Sequence, residues 1–116
     1  MSVWKIEVEK IEHASPHATV FRISGVLTDT REAFALLDEI RGALHHKVPL
    51  VILNLAGIER MTSAGVGIIA AAFTAAQRDG GKLCLVEATE RSRQLLELVG
   101  LWALVPHSET ETEALS

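Results

Sequence analysis

The first stretch of the chain alternates. Across residues 3–11, Val3, Ile6, Val8 and Ile11 interleave with Lys5, Glu7, Glu9 and Lys10, which predicts a strand with one wetted face. Residues 13–17, with Pro16 among them, read as a turn, and residues 19–24 as a second strand ended by Gly25. So short a connection predicts an antiparallel hairpin. The period then changes. Asp29, followed three residues later by Glu32, has the form of a helix N-cap with its capping box. Ala33, Leu36, Leu37, Ile40 and Leu44 recur at helical spacing, and Gly42 with residues 47–49 closes that helix. Residues 50–55 (LVILNL) form a nearly unbroken apolar run, the mark of a central strand buried on both faces. Residues 63–78 then read as a helix without charge until Arg78, stopped by Gly80-Gly81.

Residues 82–86 (KLCLV) predict another buried strand. Residues 89–99 predict an amphipathic helix with Leu95, Leu96 and Leu98, closed by Gly100. Leu104-Val105 suggest a short last strand, and the acidic tail a terminal helix. The order β-β-α-β-α-β-α, with a short last strand and helix, implies parallel neighbours joined by helical crossovers and an antiparallel edge. The expected fold is α/β: one domain over residues 1–116, a small mixed sheet with its helices mainly on one side. The uncharged helix has two faces to assign. At about 100° per residue, Val66, Ile69, Ala70 and Phe73 share a stripe, and Ile68, Ala71 and Ala75 lie opposite. Phe73 is the largest of these side chains, so its stripe is expected against the sheet. Ile68 and Ala71 are then left for a partner.

Composition narrows the function classes. Of 116 residues, 48% are hydrophobic and 22% charged, enough apolar surface for a core without a metal or disulfide staple. The formal charge of −4, with Glu109, Glu111 and Glu113 in the tail, offers no basic excess for DNA or RNA. Aromatics are 4% and Tyr is absent, so base-stacking platforms are not expected either. Cys84 is the single cysteine, which rules out an internal disulfide and fits a cytoplasmic protein. Charges at residues 5–12 leave no apolar signal core. The uncharged residues 61–77 are too short and too rich in Ala, Gly and Thr to span a bilayer, so no membrane insertion is expected.

The chemical constellations are few. Gly65, Gly67 and Ala70 satisfy GxGxxA, with Glu87 twenty residues beyond Gly67. A dinucleotide site needs those glycines in a tight turn directly after a strand, and the apolar run ends about nine residues too early. His13, His17, His45, His46 and His107 have no carboxylate or thiol at ligand spacing, so no metal is expected. Ser63 lies in TSAGVG and not in the GxSxG of a nucleophile elbow. No catalytic residue and no cofactor is assigned. What remains is the segment Met61-Thr62-Ser63-Ala64-Gly65, reached through a loop of roughly seven residues. Ser63 has the form of an N-cap, a role worth about 1 kcal/mol. Beside it Thr62 adds a second hydroxyl, and a phosphate there would rest on the positive end of the helix.

Residues 50–106 (LVILNLAGIERMTSAGVGIIAAAFTAAQRDGGKLCLVEATERSRQLLELVGLWALVP) resemble the STAS domain of anti-sigma factor antagonists. The shared features are a central strand, a D/T-S-S/A-G-[LV] motif at a helix start, a GG-K-L-x-L-V strand and a helix ending L-E-L-x-G-L. Upstream, TVFRISGVLTDTREAFALL is similar to the family's second strand and first helix. The resemblance implies a protein–protein switch and not an enzyme. An ATP-dependent anti-sigma kinase, which itself holds the ATP, phosphorylates the motif serine. The unphosphorylated antagonist binds that kinase, and a phosphatase resets the modified form. By position the acceptor is Ser63. Many antagonists carry Asp before the serine where this chain has Thr62, which makes Thr62 a second candidate. With the outer helix face read above, the expected partner surface is Thr62, Ser63, Ala64, Gly65, Gly67, Ile68 and Ala71. The alternative is a non-switching STAS module of a larger complex, such as a lipid-transport accessory subunit. Homo-oligomerisation stays open.

Overall fold

The computed structural model describes residues 5–116. Its elements are β1 (Ile6–Ala14), β2 (His17–Leu27), α1 (Arg31–His45), β3 (Leu50–Met61), α2 (Ser63–Asp79), β4 (Lys82–Val86), α3 (Glu90–Leu98), α4 (Leu101–Leu104), β5 (His107–Ser108) and α5 (Glu111–Leu115). They build a five-stranded sheet in the order β1-β2-β3-β4-β5. β1 and β2 are antiparallel and the remaining neighbours parallel. The Val3 end of the expected first strand lies outside the described residues.

Each inner strand splits its side chains between two faces, as the two-residue period of a strand requires. Phe21 and Ile23, Val51, Leu53 and Leu55, and Leu83 and Leu85 join the larger core with residues of α1, α2 and α3. Val20, Ile52, Cys84 and Val86 form a second, smaller cluster on the opposite face, where Ala114 and Leu115 of α5 pack. The expected mixed sheet, with helices mainly on one side, is therefore the observed one, and α5 is the helix on the other side.

Several boundaries move for identifiable reasons. β2 does not stop at Gly25. It runs to Leu27 through register shifts against β3, and Gly25 takes φ +94°. A Cβ there would lie 2.2 Å from the Lys5 carbonyl oxygen, so glycine is what lets the strand pass. The cap of α1 is Thr30, whose Oγ1 accepts from Ala33 N at 3.1 Å, and not Asp29. Gly42 lies inside α1, and it is Lys47, at φ +67°, that turns the chain after the helix. β3 continues six residues past Leu55 to Met61, pairing Leu27 with Met61, so the expected loop before Ser63 is strand. Alternation weakens there because residues 56, 57, 59 and 60 are exposed. Leu104-Val105 is not a strand. Gly100, at φ +84°, starts the short α4 instead, and the last strand pairs two residues later, at His107 and Ser108.

The assignment of faces on α2 is also corrected. Ile68 is 5% exposed and belongs to the main core together with Ile69, Ala72, Ala75 and Ala76. Phe73, Ala70 and Ala71 are only half-buried. The sheet lies under α2 and α1 packs beside it. The helix is thus covered through about half its circumference, and the buried arc centres near Ala72 instead of Phe73. Placing the largest side chain inward ignored the second wall supplied by α1.

Candidate functional site

β2 and β3 end side by side at Leu27 and Met61, and α1 and α2 both begin just beyond them. The carboxyl ends of parallel strands are where such sheets habitually place their sites. Three side chains tie the two helix starts together. Thr62 caps α2: its Oγ1 accepts from Gly65 N at 3.2 Å and donates to Thr28 Oγ1 at 2.7 Å. Thr28, 7% exposed, donates a hydrogen bond from its own hydroxyl to Asp29 Oδ1 at 3.1 Å. The Thr62 backbone N–H donates to the Leu27 carbonyl at 3.1 Å.

Gly65 explains how the helix approaches so closely. A Cβ on it would lie 2.2 Å from the Leu27 carbonyl oxygen, so any side chain would push α2 off the end of β2. It is buried and presents nothing to a partner. Gly67 is the reverse case, exposed, with no atom within 4 Å of an added Cβ.

Ser63 is exposed and is the first residue of α2, not its cap. Its hydroxyl makes no hydrogen bond with the described residues, because the capping bond is already made by Thr62. The first turn of α2 carries no acidic residue of its own, so no side chain of that turn offsets the positive end of the helix. The two hydroxyls of the motif therefore differ. Thr62 is half-buried and committed as both donor and acceptor, whereas Ser63 is accessible. This yields an asymmetry in stability. Thr62→Ala is expected to cost about 0.5–2 kcal/mol, the worth of a cap, and Ser63→Ala less than about 0.5 kcal/mol. Urea unfolding of both variants measures it, and equal losses would contradict the assignment of the cap.

Of the seven residues expected at a partner surface, Ser63 and Gly67 are exposed, Thr62, Ala64 and Ala71 half-buried, and Gly65 and Ile68 buried. An exposed edge remains on α2, running from Ser63 through Gly67 to Thr74 and flanked by Ala70 and Ala71. Sequence reading missed Thr28 and Asp29 as neighbours of Thr62. The Thr28–Thr62 bond joins residues 34 apart, and no local pattern announces it.

Two open clefts, of about 560 and 410 Å³, flank α5, and neither is lined by Thr62 or Ser63. Among the described residues no group of three His, Cys, Asp or Glu side chains is placed to hold a metal, and no helix is long and apolar enough to cross a membrane.

Against known families, residues 5–114 match the model of the STAS domain. The chain belongs to the STAS domain family. Among curated proteins this STAS domain is similar to the anti-sigma F factor antagonist of Paenibacillus polymyxa, at 21% identity over 96% of this chain and 93% of the relative. Its fold is similar to the crystal structure of an anti-sigma factor antagonist from Mycobacterium paratuberculosis, at TM-score 0.81 and 25% identity, covering 98% and 94% of the two chains. It also shares the fold of the anti-sigma factor antagonist SpoIIAA in its unphosphorylated form, at TM-score 0.75 and 22% identity over 96% and 93%. The phosphorylated form of the Bacillus cell fate determinant SpoIIAA gives TM-score 0.69 at 21% identity over 96% of both chains.

Proposed function

We propose that this STAS domain is a phosphorylation-controlled anti-sigma factor antagonist, a binding switch in the cytoplasm and not an enzyme. With Ser63 unmodified it binds an anti-sigma factor of the serine-kinase type, which holds the ATP. Transfer of phosphate to the Ser63 hydroxyl releases it, and a phosphatase restores the binding form. The observation that carries this reading is the division of labour at the start of α2. Thr62 does the structural work of the cap and leaves Ser63 accessible at a helix N-terminus whose first turn has no acidic residue. A phosphate dianion there is favoured by the helix dipole, so the fold tolerates the modification while the partner surface gains two charges. Thr62 replaces the Asp of many antagonists. A carboxylate is nonetheless linked to that position, because Asp29 reaches Thr62 through the Thr28 hydroxyl.

The test is incubation with purified serine kinases of the anti-sigma factor class and ATP, read by intact mass and peptide mapping. One phosphate is expected on the wild type, mapped to Ser63, and none on Ser63→Ala. A stable complex with such a kinase and no phosphorylation would instead favour the non-switching interaction module. Phosphate mapped to Thr62 would overturn the choice of acceptor.

A further inference from the structure

The face of the sheet turned away from α1 and α2 carries two rows of side chains in register. One is apolar: Val20 pairs with Ile52, and Ile52 with Cys84. The next runs Arg22, Asn54, Val86 and Ser108. The apolar row is 0–3% exposed, yet what packs on it from beyond the sheet, among the described residues, is Ala114 and Leu115. Both belong to α5, a helix of five residues, far below the length at which a helix is stable unaided.

The hold on α5 is mainly polar. Glu111 forms a two-pronged ion pair with Arg22, with Nε to Oε2 and Nη2 to Oε1 both at 2.9 Å. Glu111 Oε2 also accepts from Asn54 Nδ2 at 2.7 Å, and the same Asn54 nitrogen donates to Glu87 Oε2 at 2.9 Å. Asn54 is 6% exposed, and its Oδ1 is taken by Ala56 N. Two carboxylates are therefore gathered on one amide, and Arg22 supplies the charge that keeps them together. Like charges at such range repel by amounts comparable to the attraction of a pair. Without Arg22 the arrangement favours departure of the strand-tethered helix.

We propose that residues 110–116 act as a detachable strap, fastened by the Arg22–Glu111–Asn54 clasp. Its release opens the apolar row Val20–Ile52–Cys84 while the helical face stays folded. Cys84 reports on the event. Its thiol is buried in the cluster on which Ala114 and Leu115 pack, 3.8 Å from the Ser108 hydroxyl, and burial raises its pKa, so the closed form offers little thiolate for reaction.

The experiment follows Cys84 modification by an aromatic disulfide reagent at neutral pH in the full chain, alongside thermal unfolding by circular dichroism. Arg22→Gln and Glu111→Gln are each expected to speed labelling at least tenfold relative to wild type and to Glu109→Gln, with the main unfolding transition little changed. A clasp of charges is also screened by salt, so wild-type labelling is expected to quicken between low and high ionic strength and that of Glu111→Gln to stay flat. Labelling at the wild-type rate in both clasp variants would overturn the strap. So would acceleration that merely matches a fall in global stability, because Cys84 would then be reached only by unfolding the whole domain.

Discussion

Ile68→Lys is expected to unfold this STAS domain. Ile68 is 5% exposed within the core that joins α2 to the sheet and to α1. Removing a buried Ile side chain alone costs about 2–5 kcal/mol. Lysine adds the burden of an ammonium in a core where, among the described residues, the buried polar side chains are Thr19, Thr28, Asn54 and Ser92 and none is a carboxylate. Against a total stability of about 5–15 kcal/mol for an ordinary domain, the sum removes most or all of the margin. Ile68→Ala should remain folded and show the smaller loss. The measurement is far-ultraviolet circular dichroism with urea titration of both variants. A folded Ile68→Lys, within about 1 kcal/mol of wild type, would falsify the placement of Ile68 in the core and restore it to the outer surface.

The extent of α2 was legible: residues 63–78, without charge until Arg78 and stopped by Gly80-Gly81, against an observed helix of Ser63–Asp79. What the helical wheel could not supply was the number of walls. Ala and Gly around the whole circumference leave the moment weak, and the direction of burial is then decided by α1, which arrives from thirty residues upstream. The same limit applies to β3. Residues 50–55 announced a buried strand because both faces are covered there, whereas residues 56–61 face solvent at four positions and lost the pattern.

The fold class, the strand order along the chain and the position of Ser63 at the start of α2 were carried by strong local signals: apolar runs, turn glycines and the TSAG motif. The caps were displaced by one residue, from Asp29 to Thr30 and from Ser63 to Thr62. Ser, Thr and Asp all accept an N-terminal amide, so runs of such residues leave the choice to backbone geometry. That single step bears on the proposed switch, because it separates the hydroxyl that caps the helix from the hydroxyl that is exposed and makes no capping bond. The Arg22–Glu111 clasp was not legible at all. Its residues are 89 positions apart, and each reads by itself as an ordinary solvated charge.

The exposed edge of α2 can be tested independently of phosphorylation. Gly67 sits in the helix with open space where a side chain would go, so the fold does not need it. Glycine inside a helix costs about 0.5–1 kcal/mol relative to alanine. Gly67→Leu is therefore expected to keep or raise the unfolding temperature of the domain. If an anti-sigma kinase docks along Ser63, Gly67 and Thr74, the added isobutyl group stands where the partner backbone must approach, and affinity should fall more than tenfold. Ser63→Asp is the complementary probe. Asp in the first turn of α2 is favoured by the helix dipole by about 0.3–1 kcal/mol, so the fold stays intact while a negative charge enters the same surface. Its binding should fall by more than tenfold as well, whereas Ser63→Ala should bind as the wild type does. Calorimetric titration of the kinase with the three variants reads all of this at once. Wild-type affinity in both Gly67→Leu and Ser63→Asp would move the partner off this helix. Loss in Gly67→Leu with wild-type affinity in Ser63→Asp would keep the docking surface and remove the switch.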